Sequence, residues 1–244
     1  MGKEPIHDIT SLLRLLPADF MVLELPQNLD ALALRDPSTD AVIVGIGTSS
    51  SPYRQRLTIA HEIGHILSGD ISKSSQSFVC EKSAPEETRA NTFARCLLCP
   101  ADALPPFQSS DPLETLSAVV RHFQVSPAVA AYQLEYAGIF TAEQVQDFQK
   151  IQAPALASKF GWKSSYDRAR AISQLSQSSE RLVADAYAAY ANGQVSLATV
   201  AFAEQVSLEE ASASAEGARA LQALTTDTNA DIFADLDSFF SDGD

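Results

Sequence analysis

Basic residues and cysteines are scarce in this chain of 244 residues. Seventeen Lys and Arg stand against 31 Asp and Glu, so the formal net charge is −14, and attraction to nucleic acid or anionic lipid is not expected. The three cysteines, Cys80, Cys96 and Cys99, are an odd number, which argues against a disulfide framework. No apolar run approaches the roughly 18 residues of a membrane-spanning helix, and no secretory signal is recognisable. We therefore expect a cytoplasmic protein without a membrane segment.

The acidic residues are concentrated toward the C-terminus. Residues 1–163 hold 13 basic and 18 acidic side chains, whereas residues 164–244 hold 4 and 13. Strand patterns occur only before residue 50, and helical patterns dominate after residue 100. The sequence therefore predicts an α+β domain with a small sheet over 1–140, an all-α region over 141–226 and an acidic, disordered tail over 227–244.

Apolar patterning in the first domain predicts a strand followed by a helix. The run 41–46 is short and rich in β-branched residues, as in a buried strand, and 32–34 is a candidate neighbour. Apolar residues then recur at helical spacing from Leu57 to Leu67, and Gly69 marks the helix end. The strand 41–46 is either an ordinary core strand or an edge beside which an extended peptide adds a strand.

Capping signals predict further helices. Residues 70–82 are polar and expected to form a loop, and Ser83 with Glu86 forms a capping-box pattern for a helix from about Ala84 to Leu98. Later helix starts are predicted at Asp111-Pro112, Ser126-Pro127 and Thr141. Residues 151–163, with Pro154, Gly161 and Trp162, look like a connector.

The feature most indicative of chemistry is the sequence His61-Glu62-Ile63-Gly64-His65 within the first predicted helix. Histidines four residues apart project from one helix face, so both imidazoles can bind a single Zn²⁺. Glu62 lies beside the first histidine, where a carboxylate can act as general base toward water. The pattern predicts metal-assisted hydrolysis of an amide bond.

A catalytic zinc needs a third protein ligand. The helix predicted after Ser83 offers Glu86 and Glu87, and a capping box with Ser83 would occupy Glu86. Glu87 is therefore the better candidate, although a first-turn glutamate is also favoured by the helix dipole alone.

Three segments resemble a known protein family. They are R-Q-R-L-T-I-A-H-E-I-G-H over 54–65, E-T-R-A-N-T-F-A-R-C-L-L-C-P over 87–100, and F-Q-V-S over 123–126, followed by Ala130 and Leu134. Over about residues 30–138 the chain is similar to the ImmA/IrrE family of zinc metallopeptidases, whose members combine an H-E-x-x-H helix with a second helix of pattern E-x-x-A-N-x-F-A. The fold that this resemblance implies is zincin-like.

The resemblance also implies roles for individual residues. His61, His65 and Glu87 would bind Zn²⁺, and Glu62 would be the general base. Arg89 stands where the family often has a second glutamate. Better-known members of the family cleave helix-turn-helix repressors, so the implied partner is such a repressor.

Two functions from different classes follow. The first is a zinc-dependent metalloendopeptidase that cleaves a specific regulatory protein, a helix-turn-helix transcriptional repressor, in a stress or mobile-element response. The alternative is a non-catalytic interaction regulator built on a metallopeptidase scaffold. Neither requires direct contact with nucleic acid or with a membrane, and the sequence does not specify an oligomeric state.

Several other residues have less specific patterns. His122, Tyr53 and Tyr132 are candidates for stabilising the oxyanion of the reaction, and spacing does not choose among them. Cys96 and Cys99 form a C-x-x-C pattern inside an apolar helix, where small buried side chains are the more common reading.

The C-terminal region has two features of its own. Residues 184–211 superficially resemble a helix-turn-helix, but their acidic surroundings favour a protein-interaction module over a DNA-binding one. The tail 227–244 has six aspartates and no basic residue, yet its large apolar residues recur at helical spacing. It is either a solubilising end, a segment that folds against a partner groove, or a mimic of DNA.

Overall fold

A computed structural model describes residues 4–13, 15–26, 29–35, 40–71 and 84–217. The chain divides into two compact units, of which the first ends at Gln177 and the second begins at Ser178. The helices between residue 140 and Ser173 therefore lie in the same compact unit as the sheet.

The first unit contains a three-stranded sheet. A short helix, α1 (Thr10–Leu13), precedes strands β1 (Ala18–Leu23), β2 (Ala31–Arg35) and β3 (Val42–Gly47). The strand order is β1-β3-β2, with β1 parallel and β2 antiparallel to β3. The predicted strand and its neighbour are confirmed, and the small sheet agrees with the α+β, zincin-like fold class.

The position of β3 decides between the two interpretations of the strand over 41–46. It is the central strand, with β1 on one side and β2 on the other, so it is a core strand and not an edge for an extended peptide. Val42, Val44 and Ile46 are buried, as the pleat requires of a strand whose one face packs on the core. In the described residues the outer side of β1 forms a bridge from Val22 to Gln177, and no strand pairs with the outer side of β2.

Two long helices follow the sheet and pack closely against each other. They are α2 (Pro52–Ser68) and α3 (Pro85–Leu98). Gly69 ends α2 in the left-handed conformation, with φ +72°, as its sequence position predicts. The capping box predicted at Ser83 and most of the loop predicted over 70–82 lie outside the described residues.

The described part of the first unit contains five further helices. They are α4 (Pro112–Phe123), α5 (Pro127–Tyr136), α6 (Ala142–Phe148), α7 (Ala153–Lys159) and α8 (Lys163–Ser173), with short 3₁₀ turns at Ala101–Ala103 and Pro105–Phe107 before α4. The side chains of Asp111, Ser126 and Thr141 accept hydrogen bonds from backbone N–H groups of the first turns that follow them. All three helix starts predicted from these caps are confirmed.

The connector predicted over 151–163 is wrong, because most of this segment is the helix α7. Pro154 lies in the first turn, where proline loses no helical hydrogen bond. Trp162 is buried, and its indole N–H donates to Ser117 Oγ at 3.0 Å. The segment is therefore part of the core of the first unit.

The second unit is helical throughout its described part. It contains α9 (Glu180–Ala191), α10 (Leu197–Glu204) and a helical stretch over 208–217. Its small core includes Val200 and Ala203, in agreement with the predicted all-α region. The tail 227–244, for which three roles were considered, lies outside the described residues. Among the described helices, none has the length and apolarity needed to cross a membrane.

Candidate metal centre

Side chains of α2 and α3 converge at one point. The Nε2 atoms of His61 and His65 are 2.9 Å apart. The Glu87 carboxylate approaches both rings, with Oε2 3.3 Å from His61 Nε2 and Oε1 3.0 Å from His65 Nε2. Their potential ligand atoms all lie within 4.8 Å of one another, so the three residues form a group that could hold a metal ion.

The opposite sides of both imidazole rings face hydrogen-bond acceptors. His61 Nδ1 is 3.2 Å from Asn91 Oδ1, and His65 Nδ1 is 3.3 Å from Asp70 Oδ2. An amide or carboxylate oxygen at Nδ1 favours the tautomer that carries its proton there. The two Nε2 atoms then present lone pairs toward Glu87, as metal-binding histidines do.

The carboxylate of Glu87 supports the same interpretation. Glu87 is 8% exposed, and its Oε1 has no hydrogen-bond partner in the described structure although His65 Nε2 lies 3.0 Å away. A lone pair on that nitrogen cannot donate to an oxygen. A buried carboxylate oxygen without a donor is costly unless a cation balances it, so the two nitrogens and this oxygen fit a divalent metal.

Burial also shifts the ionisation of two neighbouring groups. The pKa of Glu62 is raised to about 7, mainly by burial; His65 opposes this shift, and the negative charge of Glu87 contributes a smaller increase. Burial lowers the pKa of His61 below its ordinary value, and the neighbouring His65 contributes in the same direction. His61 is therefore predominantly neutral near neutral pH, which is the form that binds metals.

The close packing of α2 on α3 brings the three side chains together, and Gly64 permits it. A Cβ atom at Gly64 would lie 3.2 Å from Ala90 Cα and 3.1 Å from a ring carbon of Phe93. The Ala90 contact is with backbone, which cannot rotate away. A side chain here would force the two helices apart at the level of His61 and His65.

We expect Gly64→Ala to lower the free energy of unfolding by about 1–3 kcal/mol, as overpacking of a tight interface usually does. It should also weaken metal binding, since Glu87 moves away with its helix. Chemical denaturation and a metal titration measure the two effects. Gly217→Ala is the matched control, because a Cβ atom there meets nothing within 4 Å; equal stability of both variants would contradict the packing argument.

The three oxyanion candidates lie in other surroundings. Tyr53 is buried edge-on against Tyr166, with burial raising its pKa to about 12. Tyr132 donates to Gln149, and the ring of His122 packs on two phenylalanines. None of these described contacts joins the three candidates to the histidines or to Glu87, so no choice among them follows.

The two cysteines of the C-x-x-C pattern are thiols. Cys99 is fully buried, with burial raising the pKa of its thiol to about 12, and Cys96 is partly exposed. A thiol with a raised pKa is a poor nucleophile and a poor metal ligand. The predicted role of Cys99 as a small buried side chain agrees with this environment.

Sequence reasoning missed Asp70 and Asn91, the partners of the two histidines. Asn91 lies one helical turn after Glu87 on α3, a spacing that places both on one face. Asp70 directly follows the glycine that ends α2. Both positions could have been found by asking which residues reach the far sides of the two rings.

Comparison with known proteins agrees with this geometry. Residues 18–135 match the family model of the IrrE N-terminal-like domain, peptidase M78, whereas no curated protein is significantly similar to the chain in sequence. The match begins at β1, ends within α5 and includes His61, Glu62, His65 and Glu87. It confirms the resemblance stated from the motifs. Residues 18–135 therefore form a domain of the ImmA/IrrE-like peptidase M78 family.

Proposed function

We propose that this protein is a zinc-dependent endopeptidase that cleaves one specific regulatory protein, a helix-turn-helix transcriptional repressor. The observation that carries the proposal is the convergence of His61 Nε2, His65 Nε2 and the Glu87 carboxylate. The Nδ1 atom of each histidine faces a side-chain oxygen on the other side of its ring. Two imidazoles and one carboxylate are a common donor set for a catalytic zinc. The donor set suits zinc geometrically, and the availability of zinc, manganese or iron in the cell also decides which metal occupies such a site.

The ligand roles follow from the positions of the side chains. His61 and His65 would each give an Nε2 lone pair, and Glu87 would give its otherwise unpartnered oxygen. When bound, zinc supplies positive charge that polarises a peptide carbonyl and makes water acidic enough to react near neutral pH. Three protein ligands leave room for substrate, as in catalytic rather than structural sites.

Glu62 is the proposed general base. It follows His61 directly on α2 and is half-buried, within electrostatic reach of Glu87 and His65. Its carboxylate would take a proton from the attacking water and pass it to the leaving amine nitrogen. A carboxyl group with a pKa near 7 is suited to both transfers.

The free side of the sheet offers a place for the substrate chain. In the described residues no strand pairs with the outer side of β2, and the sheet edge at β1 is partly covered by Gln177. An extended segment of the repressor could add a strand beside β2, with backbone hydrogen bonds holding it in register. In this proposal the substrate pairs with β2 and not with β3, the strand over 41–46 that the sequence offered as a possible edge.

Cleavage itself is the direct test of the proposed function. The purified protein is mixed with the repressor encoded by the neighbouring gene, first after chelation and then after zinc is restored. We expect two fragments whose masses sum to that of the intact repressor plus one water, formed only with zinc. A repressor that stays intact in the zinc-restored reaction would contradict the proposal.

The negative charge of the second unit leads to a prediction about how substrate binding depends on salt. Its described residues, 178–217, carry six acidic side chains and one basic one, and DNA-binding repressors present basic surfaces. Raising the ionic strength from about 0.01 to 0.1 M shortens the Debye length from about 30 to 10 Å. We therefore expect kcat/KM for the repressor to fall over this range through slower association. A short neutral peptide is the control substrate, and equal salt dependence for both would contradict this role of the second unit.

A further inference from the structure

The C-terminal end of α2 places a carboxylate against the far side of one candidate metal ligand. Gly69, with φ +72°, donates its N–H to Ile66 O at 3.1 Å, and Asp70 donates its N–H to His65 O at 3.0 Å. This is the Schellman pattern, in which the second residue after a helix folds back over the residue five positions earlier. The Asp70 side chain is thereby brought back to His65, with Oδ2 3.3 Å from Nδ1.

A second helix completes this arrangement. The other oxygen of Asp70, Oδ1, accepts a hydrogen bond from Arg89 Nη2 at 2.6 Å. Arg89 lies on α3, two residues after Glu87. The side chain of Asp70 is 12% exposed, and that of Arg89 is 50% exposed. The contacts from His65 to Asp70 to Arg89 therefore connect α2 with the helix that carries Glu87.

The charges explain why an arginine is needed. The side chain of Asp70 is 12% exposed, and Arg89 Nη2 donates to its Oδ1 at 2.6 Å. A hydrogen bond between a guanidinium and a carboxylate is charge-assisted and stronger than one between neutral groups. Arg89 therefore balances the charge of this nearly buried carboxylate and leaves its other oxygen, Oδ2, to face His65 Nδ1.

We propose that Asp70 and Arg89 are positioning residues of the metal centre. Asp70 fixes the tautomer and orientation of His65 and increases the basicity of its Nε2, and Arg89 holds the Asp70 carboxylate in place. The inference rests on the proposed function, because it takes His65 as a metal ligand. The two ligand histidines then differ, since the partner of His61 is the neutral amide of Asn91.

Metal affinity is the first readout, measured by competition with a chromophoric zinc chelator. Loss of an outer partner of a metal-binding histidine usually weakens binding about 10- to 100-fold, and we expect Asp70→Ala to fall in this range. Arg89→Glu should also weaken binding, since it places another carboxylate against Asp70. Adding Asp70→Asn to Arg89→Glu should restore part of the affinity by removing that repulsion. Arg168→Glu, an exposed charge reversal on α8, is the control and should bind zinc as the wild type does.

The visible spectrum of the Co²⁺-loaded protein is the second readout, because it reports ligand geometry rather than stability. We expect the Asp70→Ala spectrum to change in band position or intensity. Asp70→Asn keeps an acceptor oxygen for Nδ1 and should retain the wild-type bands. If Asp70→Ala does not fold, as judged by circular dichroism, Arg89→Glu and its double variant decide the question.

The outcomes separate this inference from the proposed function. If the wild type and all these variants bind zinc equally and share one Co²⁺ spectrum, the positioning roles are wrong while the metal centre stands. If the wild type itself binds no zinc, the proposed function fails, and this inference fails with it. Weaker binding in Arg89→Glu with partial recovery in the double variant would support both.

Discussion

Glu62→Gln is expected to retain zinc, while its kcat/KM for peptide hydrolysis falls about 10²- to 10⁴-fold, the usual contribution of a general base. The amide has nearly the shape of the carboxyl group but cannot take a proton from water. The pKa of Glu62 is raised to about 7 mainly because burial disfavours its charged form. The fold therefore does not depend on a negative charge at this position, and the substitution removes only the proton transfer. Measuring kcat/KM on the repressor together with bound zinc separates the two properties.

The same variant distinguishes the proposed peptidase from a regulator that acts by binding alone. In cells lacking the native gene, Glu62→Gln should fail to restore the response if cleavage is the function. Full restoration would favour the alternative, an interaction protein on a metallopeptidase scaffold. Undiminished cleavage by the purified variant would rule out Glu62 as the base in either case.

Glu87→Ala is expected to lose tightly bound zinc and, with it, activity. The third ligand is removed, and two histidines alone form a weaker site. In the wild type, zinc at 100 times its Kd should increase the free energy of unfolding by about 2.7 kcal/mol. Thermal denaturation with and without zinc should show this stabilisation in the wild type and little of it in the variant.

The neighbouring glutamate supplies the control for this result. Glu86→Ala removes an exposed first-turn acid from the same helix, with the same change in charge and a similar change in helix propensity. It should keep both zinc and activity. If Glu87→Ala binds zinc as tightly as Glu86→Ala and the wild type do, Glu87 is not a ligand. If both variants lose zinc, the cause is a general effect on α3.

Local sequence patterns were sufficient for the helices that carry the site. The spacing of His61 and His65 is a property of one helix, and Gly69 marks its end from sequence alone. Glu87 was predicted as the third ligand from its place in the first turn of the next helix, and the resemblance implied the same residue. The packing of α3 on α2 that brings it to the histidines could not be predicted, because it depends on contacts such as Gly64 with Ala90. Capping residues predicted three later helix starts for the same local reason.

The sheet and the outer partners of the histidines depended on tertiary structure. β1 was not predicted, because its run of residues 18–23 lacks strict alternation and its pairing with β3 is non-local. The central position of β3 could not be read from its own residues, since strand order is set by the whole sheet. Asp70 was overlooked because its role arises from a helix ending that folds back, although the glycine before it indicated that geometry.

The most direct test of the metal centre is a crystal structure of the zinc-loaded protein with anomalous data at the zinc absorption edge. We expect one strong anomalous peak, with His61 Nε2, His65 Nε2 and a carboxylate oxygen of Glu87 at about 2.0–2.2 Å from it. Glu62 should lie near this peak without binding the metal. The absence of a peak between these three side chains, or a peak bound only elsewhere on the chain, would contradict the central claim.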